Sequence, residues 1–311
     1  MGLSDLTALG INQVIGGGIF LIPAPIAANI GSWGPVGFIV AGLAMLLIAL
    51  CYAETGSRFS DTGGAYLYAR AAFGKFIGFE VGWMQWFVRV SSQAAIVSGI
   101  AAAISYYWTE ANRGWGKALI VSSITLLIGY LHTTGIRQSA LAIRFFTVGK
   151  LAPLSIFIVA GLCMMDSKTL PSFPAVSPHQ AAAAGFMLAF AFGGFETIPV
   201  ICGEAKNPRR DVVYALIATL ICVTLVMSLV QLVYVSSSRG ITESATPLAD
   251  SAGLLMGSAG AAVIGIGSLI SMFGANVGSS LAASRMLFAF AENEDSPPAV
   301  GPLARAIALP L

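Results

Sequence analysis

The sequence predicts an all-α membrane protein with two of its spans broken, on three observations. Hydrophobic residues make up 57% of the 311-residue chain and charged residues only 10%, against roughly 45–50% and about 25% in a soluble domain. Eight apolar runs are long enough to cross a bilayer, which takes about 20 residues of helix. The first and the sixth of them are interrupted by glycines, which weaken a helix by about 1 kcal/mol each relative to alanine.

The runs cover approximately 8–30, 34–57, 76–106, 117–135, 139–165, 182–203, 212–236 and 258–290. The third and eighth exceed what a bilayer requires, so they should tilt or pass the interface. Between the runs, Gly31 to Pro35 reads as a tight turn. Asp166 to Gln180, with three prolines, and Arg239 to Asp250 read as loops. Thr62 to Phe73 has Tyr66, Leu67, Ala69 and Phe73 on one amphipathic stretch suited to the interface. One set of alternate loops holds Arg58, Arg70, Lys75, Arg137, Lys206, Arg209 and Arg210; the other holds Arg113, Lys117, Lys168 and Arg239. The richer set should be cytoplasmic, which places the N-terminus inside; the chain is expected in the cytoplasmic membrane.

Several function classes are excluded. A net charge of +2 spread along the chain suggests no nucleic-acid partner. Cys51, Cys163, Cys202 and Cys222 lie in or beside apolar runs, without metal or disulfide spacing. His132 and His179 stand far apart and no HExxH occurs, so neither an enzyme nor a metal site is indicated. No cofactor motif is present.

The interrupted runs carry the functional expectation. The first contains Ile15-Gly16-Gly17-Gly18-Ile19-Phe20, then Pro23 and Pro25; the sixth contains Phe190-Ala191-Phe192-Gly193-Gly194-Phe195-Glu196, then Pro199. Unwound backbone within a bilayer survives only where it lines a cavity or is buried in protein. Broken helices at positions one and six point to two five-helix halves, an inverted repeat with a substrate site at the midplane. The chain then reads as one transmembrane domain over 1–311, with a first repeat at 1–165 and a partial second at 182–311. Helix N-termini at the breaks offer N–H groups to an anion, and freed carbonyls offer the opposite to a cation. A substrate carboxylate should meet the N–H groups around Gly17 and Gly18, and its ammonium the carbonyls near Ile15 and Phe190.

Gly16-Gly-Gly-Ile-Phe20 resembles the first-helix signature of the amino acid–polyamine–organocation permease family. Tyr52-Ala-Glu-Thr-Gly-Ser-Arg-Phe59, Gly63-Gly-Ala-Tyr66 and Ala72-Phe-Gly74 through Gly82-Trp83 resemble its second helix and first cytoplasmic loop. Phe190 to Glu196 and Gly203-Glu-Ala-Lys-Asn-Pro-Arg-Arg210 resemble its sixth helix and the following loop. The resemblance implies a leucine-transporter-like fold and secondary transport of amino acids or related amines, coupled to protons or run as exchange. Neutral L-amino acids are the expected substrates. It also implies that Phe190 gates the site, the alternative for the aromatics flanking that break being lipid or core packing. The family usually has four further helices after the eighth, so the chain reads as truncated, with Arg305 to Leu311 like the approach to a ninth span.

Charged residues inside spans complete the set. Lys150 lies about eleven residues into the fifth run, ~17 Å along a helix and near the midplane. A lysine there should face a cavity or a partner. The resemblance implies that it stands where a coupling sodium would otherwise bind, beside the broken first helix, and couples transport to protons; the alternative is a structural lysine that only props the first-helix carbonyls. Glu196, directly after the second break, serves either as a coupling group or as an acceptor holding the broken backbone. Arg89 is expected to snorkel or to pair with a carboxylate such as Glu80.

Overall fold

The computed structural model describes residues 1–104, 108–133, 136–165, 173–237, 244 and 246–296. Tyr106, Tyr107, residues 166–172, 239–243 and 245 of the two expected loops, and the 305–311 segment lie outside the described residues. Twelve α-helices occur among the described residues. The first expected span forms three pieces: α1 (Leu3–Val14), α2 (Gly18–Leu21) and α3 (Pro23–Ile30). The second forms α4 (Gly34–Gly56), entered through a 3₁₀ turn at Gly31–Trp33. The amphipathic α5 (Ala65–Phe73) buries Tyr66 and Leu67 and leaves Phe73 72% exposed.

The third, fourth and fifth spans are α6 (Lys75–Ile104), α7 (Gly114–Thr133) and α8 (Ile136–Met164). The sixth is again in two pieces, α9 (Pro178–Ala191) and α10 (Thr197–Val200). Its start corrects the loop expected to run to Gln180. Ser177 caps the helix by accepting from the Gln180 N–H, with Pro178 at the first position, so Pro178 to Gln180 form its first turn. The seventh span is α11 (Pro208–Ser237), opened by the Pro208 of the expected polar break.

The eighth span lies in α12 (Pro247–Glu292), which changes direction at Gly257, where φ is 70° and ψ −164°. Residues 247–256 were expected as loop up to Asp250, and they instead form a helix ahead of the break. Among the described residues, five stretches are long and apolar enough to cross a membrane: Pro23–Gly56, Gly114–His132, Ala140–Met164, Pro208–Ser237 and Pro247–Glu292. The first and sixth spans are too broken to qualify as single helices. The third is continuous but carries Gln85, Arg89 and Gln93 in its middle.

The broken first span occupies the centre, with α1 packed on α8, α11 and α12. Further out, α4 packs against α11, and α6 and α8 against α12. Leu6, Leu9, Ile15, Val212, Leu216 and Leu281 belong to one shared core. The outer face of α4 shows the opposite pattern: Val40, Leu43 and Leu47 are 61%, 59% and 67% exposed. A contiguous apolar face of this kind is unfavourable in water and is what lipid contacts.

Candidate functional site

At the first break, Ile15 closes the last turn of α1 by donating to Ile11 O (2.9 Å), and Gly16 turns back to Val14 O (2.9 Å). The Gly17 and Gly18 N–H groups find no acceptor among the described residues, and the three glycines stay partly accessible. Ile19 and Phe20 are buried immediately beyond. This is the donor end that helix geometry leaves wherever a helix restarts.

At the second break, Gly193 N–H donates to Phe190 O (3.1 Å), and Gly194 N–H to Glu196 Oε2 (2.7 Å). The Phe192 and Gly193 carbonyls accept nothing among the described residues. Gly194 has φ +121°, and a Cβ there would stand 2.9 Å from both C and O of Gln13. The two breaks therefore touch backbone to backbone, and glycine is what permits it. Both glycine runs interrupt their helices where expected, leaving unpaired donors at the first break and unpaired acceptors at the second.

Lys150 is fully buried in α8. Its Nζ donates to Asn12 O (2.9 Å), Ile15 O (2.6 Å) and Ser271 O (3.3 Å). The Ser271 hydroxyl reaches Ile15 O (3.0 Å) and Gly16 O (2.9 Å). One lysine and one serine thus tie the first, fifth and eighth spans together. Ile15 O is thereby occupied twice, and Phe190 O accepts from Gly193. The carbonyls first expected to meet an ammonium are engaged, whereas those of Phe192 and Gly193 are not.

Glu196 and Arg89 form the second cluster. Arg89 Nη2 lies 3.8 Å from Glu196 Oε1, and Nη1 donates to Thr197 Oγ1 (2.6 Å). The Arg89 side chain is 6% exposed, that of Glu196 30%. The acidic partner of Arg89 is thus Glu196, not Glu80. The reason is topological: α10 begins beside the middle of α6, a proximity no sequence spacing reveals. Glu196 is both a backbone acceptor and an ion-pair partner.

Phe190 is 75% exposed, one turn beyond Phe186 on the outer face of α9. A ring that exposed closes no cavity, so the expected cap is not formed in this structure. Ala191 and Phe192 are buried, and the Phe192 ring packs 6.4 Å from that of Phe38. A cavity of about 10 Å³ lies beside Ile19, Pro23, Phe38, Ala191 and Gln231, room for roughly one water.

Several contributors escaped the sequence reading. Asn12 Nδ2 donates to Gly274 O (2.6 Å) and Gln13 Nε2 to Ala275 O (2.9 Å), while Ser279 Oγ donates to Gln13 Oε1 (2.9 Å). Two consecutive amides just before the glycine run were the available signal. Ser271 and Ser279 gave none, because serine is ordinary in membrane helices. Elsewhere, Arg285 of α12 pairs with Glu204, both nearly buried. Tyr66 Oη donates to Asp295 Oδ2 (2.6 Å). Burial and that bond hold the tyrosine hydroxyl well above its ordinary pKa.

Among known proteins, the chain is similar to the serine/threonine exchanger SteT of Bacillus subtilis, 30% identical over 96% of this chain and 69% of that one. It is 26% identical to the branched-chain amino acid permease BcaP of the same organism, over 94% of this chain and 67% of the other. The arginine/ornithine antiporter of Pseudomonas aeruginosa is 28% identical, over 95% and 64% respectively. The chain spans about two thirds of the length of these relatives. The family described as amino acid permease matches residues 1–297, a range that takes in all of the described residues. This multi-pass membrane protein, an apolar helical bundle with two broken spans meeting at its centre, therefore belongs to the amino acid permease family.

Proposed function

We propose that the chain carries out secondary transport of amino acids across the cytoplasmic membrane by alternating access, with its N-terminus on the cytoplasmic side. One observation carries the reading: unpaired N–H groups at Gly17 and Gly18 and unpaired carbonyls at Phe192 and Gly193 belong to two breaks in direct contact. An α-amino acid matches that polarity, its carboxylate on the first break and its ammonium on the second. Ile15, Gly16, Ile19, Phe190 and Ala191 complete the lining as the breaks rearrange. Phe190 acts as gate only if α9 turns its outer face inward.

Lys150 is the proposed coupling residue. Protonated, it holds α1 to α8 and α12; deprotonated, it cannot donate to three carbonyls at once. The difference biases two openings of the site. Glu196, already paired with Arg89, takes the structural share. A second reading, obligatory exchange of one amino acid for another, is favoured by the two relatives whose names describe exchange.

The experiment is uptake of radiolabelled neutral amino acids into liposomes, with and without an imposed pH gradient and with and without internal substrate. Gradient-driven accumulation supports coupling to protons, and dependence on internal substrate supports exchange. Competition by amino acid esters or decarboxylated amines as strong as by the parent acids overturns carboxylate recognition at Gly17 and Gly18.

A further inference from the structure

The inner face of α6 carries three polar side chains at four-residue spacing, Gln85, Arg89 and Gln93. Such residues are neighbours along one helix face. Each has a buried polar atom with no partner among the described residues: Gln85 Oε1, Arg89 Nε and Gln93 Nε2. Unpaired buried donors are rare in folded proteins and carry a free-energy penalty. Two of these three atoms, Arg89 Nε and Gln93 Nε2, are donors one helical turn apart.

Arg89, in the middle of this face, meets the second break directly. The other two nitrogens of Arg89 are committed to Thr197 and Glu196, and Glu196 in turn holds the Gly194 N–H. The unused Nε therefore sits on a guanidinium fixed to the turn that follows Gly193 and Gly194. The partial exposure of Glu196 leaves the cluster reachable from outside the packed core.

We propose that Arg89 and Gln93 form the subsite for the substrate's side chain, and that it selects a short side chain bearing an uncharged oxygen, as in serine or threonine. The inference rests on the transport reading above and names its substrate class. A hydroxyl oxygen reaching this face accepts from Nε and Nε2 together. A hydrocarbon side chain leaves both donors unpaired. A cationic side chain meets a guanidinium that keeps its charge and whose one carboxylate partner is already engaged. An acidic side chain meets Glu196 beside the same guanidinium, and the two carboxylates repel.

The test is equilibrium binding of radiolabelled serine, leucine, arginine and aspartate to the purified chain and to Gln93→Leu and Gln93→Glu. The wild type should bind serine about tenfold or more tightly than the other three. Gln93→Leu should lose about tenfold on serine and nothing on leucine, collapsing that ratio. Gln93→Glu should gain arginine, because it adds a second carboxylate beside Arg89. A wild type that prefers leucine, arginine or aspartate overturns the subsite. So does a serine-to-leucine ratio that Gln93→Leu leaves unchanged, which is the behaviour of a glutamine with a merely structural role. Binding of no amino acid at all overturns the transport reading and this inference with it.

Discussion

Replacing Gly194 with alanine tests whether the two broken helices depend on backbone contact. Two costs add at this position. At φ +121° a side chain is strained whatever the surrounding space, at about 1–3 kcal/mol for so sparsely populated a conformation. The new Cβ also falls 2.9 Å from the C and O atoms of Gln13, which are backbone and cannot rotate aside. Overpacking of that kind costs about 1–3 kcal/mol. Gly194→Ala should therefore lose roughly 2–6 kcal/mol and weaken binding of any amino acid held between the breaks. Gly193→Ala is the control. Its nearest neighbour is the Phe190 carbonyl oxygen at 3.3 Å and its φ is not positive, so about 1 kcal/mol or less is expected. Denaturant unfolding in detergent, with ligand binding measured in parallel, reads both variants. Equal losses at the two positions, or none at Gly194, would refute the interlocked arrangement.

Other perturbations follow from the same contacts. In Lys150→Ala, accumulation against a pH gradient should vanish while equilibrium binding of the same substrate persists; accumulation that keeps its gradient dependence would leave Lys150 structural and move the search to Glu196. Arg285→Met strands a nearly buried Glu204 carboxylate and should cost about 3–5 kcal/mol, much of it recovered in the double variant with Glu204→Gln, as denaturant titration would show. Tyr66→Phe removes a hydrogen bond to a carboxylate, about 1.5–3 kcal/mol, and should speed amide exchange at Asn293 to Asp295. Because the folded-state pKa of Tyr66 is raised, its contribution is complete below the unfolded tyrosine value near ~10 and fades as pH rises beyond it. A wild-type-minus-Phe stability difference that is constant through strongly alkaline pH would contradict that sign.

The sequence by itself determined the class of the molecule and the position of its weak points. Apolar runs of bilayer length can only be membrane helices, because backbone polar groups must pair internally there. Glycine triplets and pairs mark where such helices fail, because an intrinsic helix penalty acts locally and needs no tertiary partner. For the same reason Lys150 stood out: a lone lysine at mid-span depth demands a partner wherever it sits. What the sequence left open was every choice among partners. Arg89 had Glu80 about two and a half turns away on its own helix, yet pairs with Glu196, more than a hundred residues later. Phe190 and Phe192 flank the same break, yet one faces outward and the other is buried. Ser271 reads like any serine until α12 places it against the broken first span. These outcomes depend on how α6, α9 and α12 are rotated about their axes and which helix lies beside which. That is settled by packing of the whole bundle at once, since hydrophobicity inside a membrane is nearly uniform around a helix and so carries little directional information.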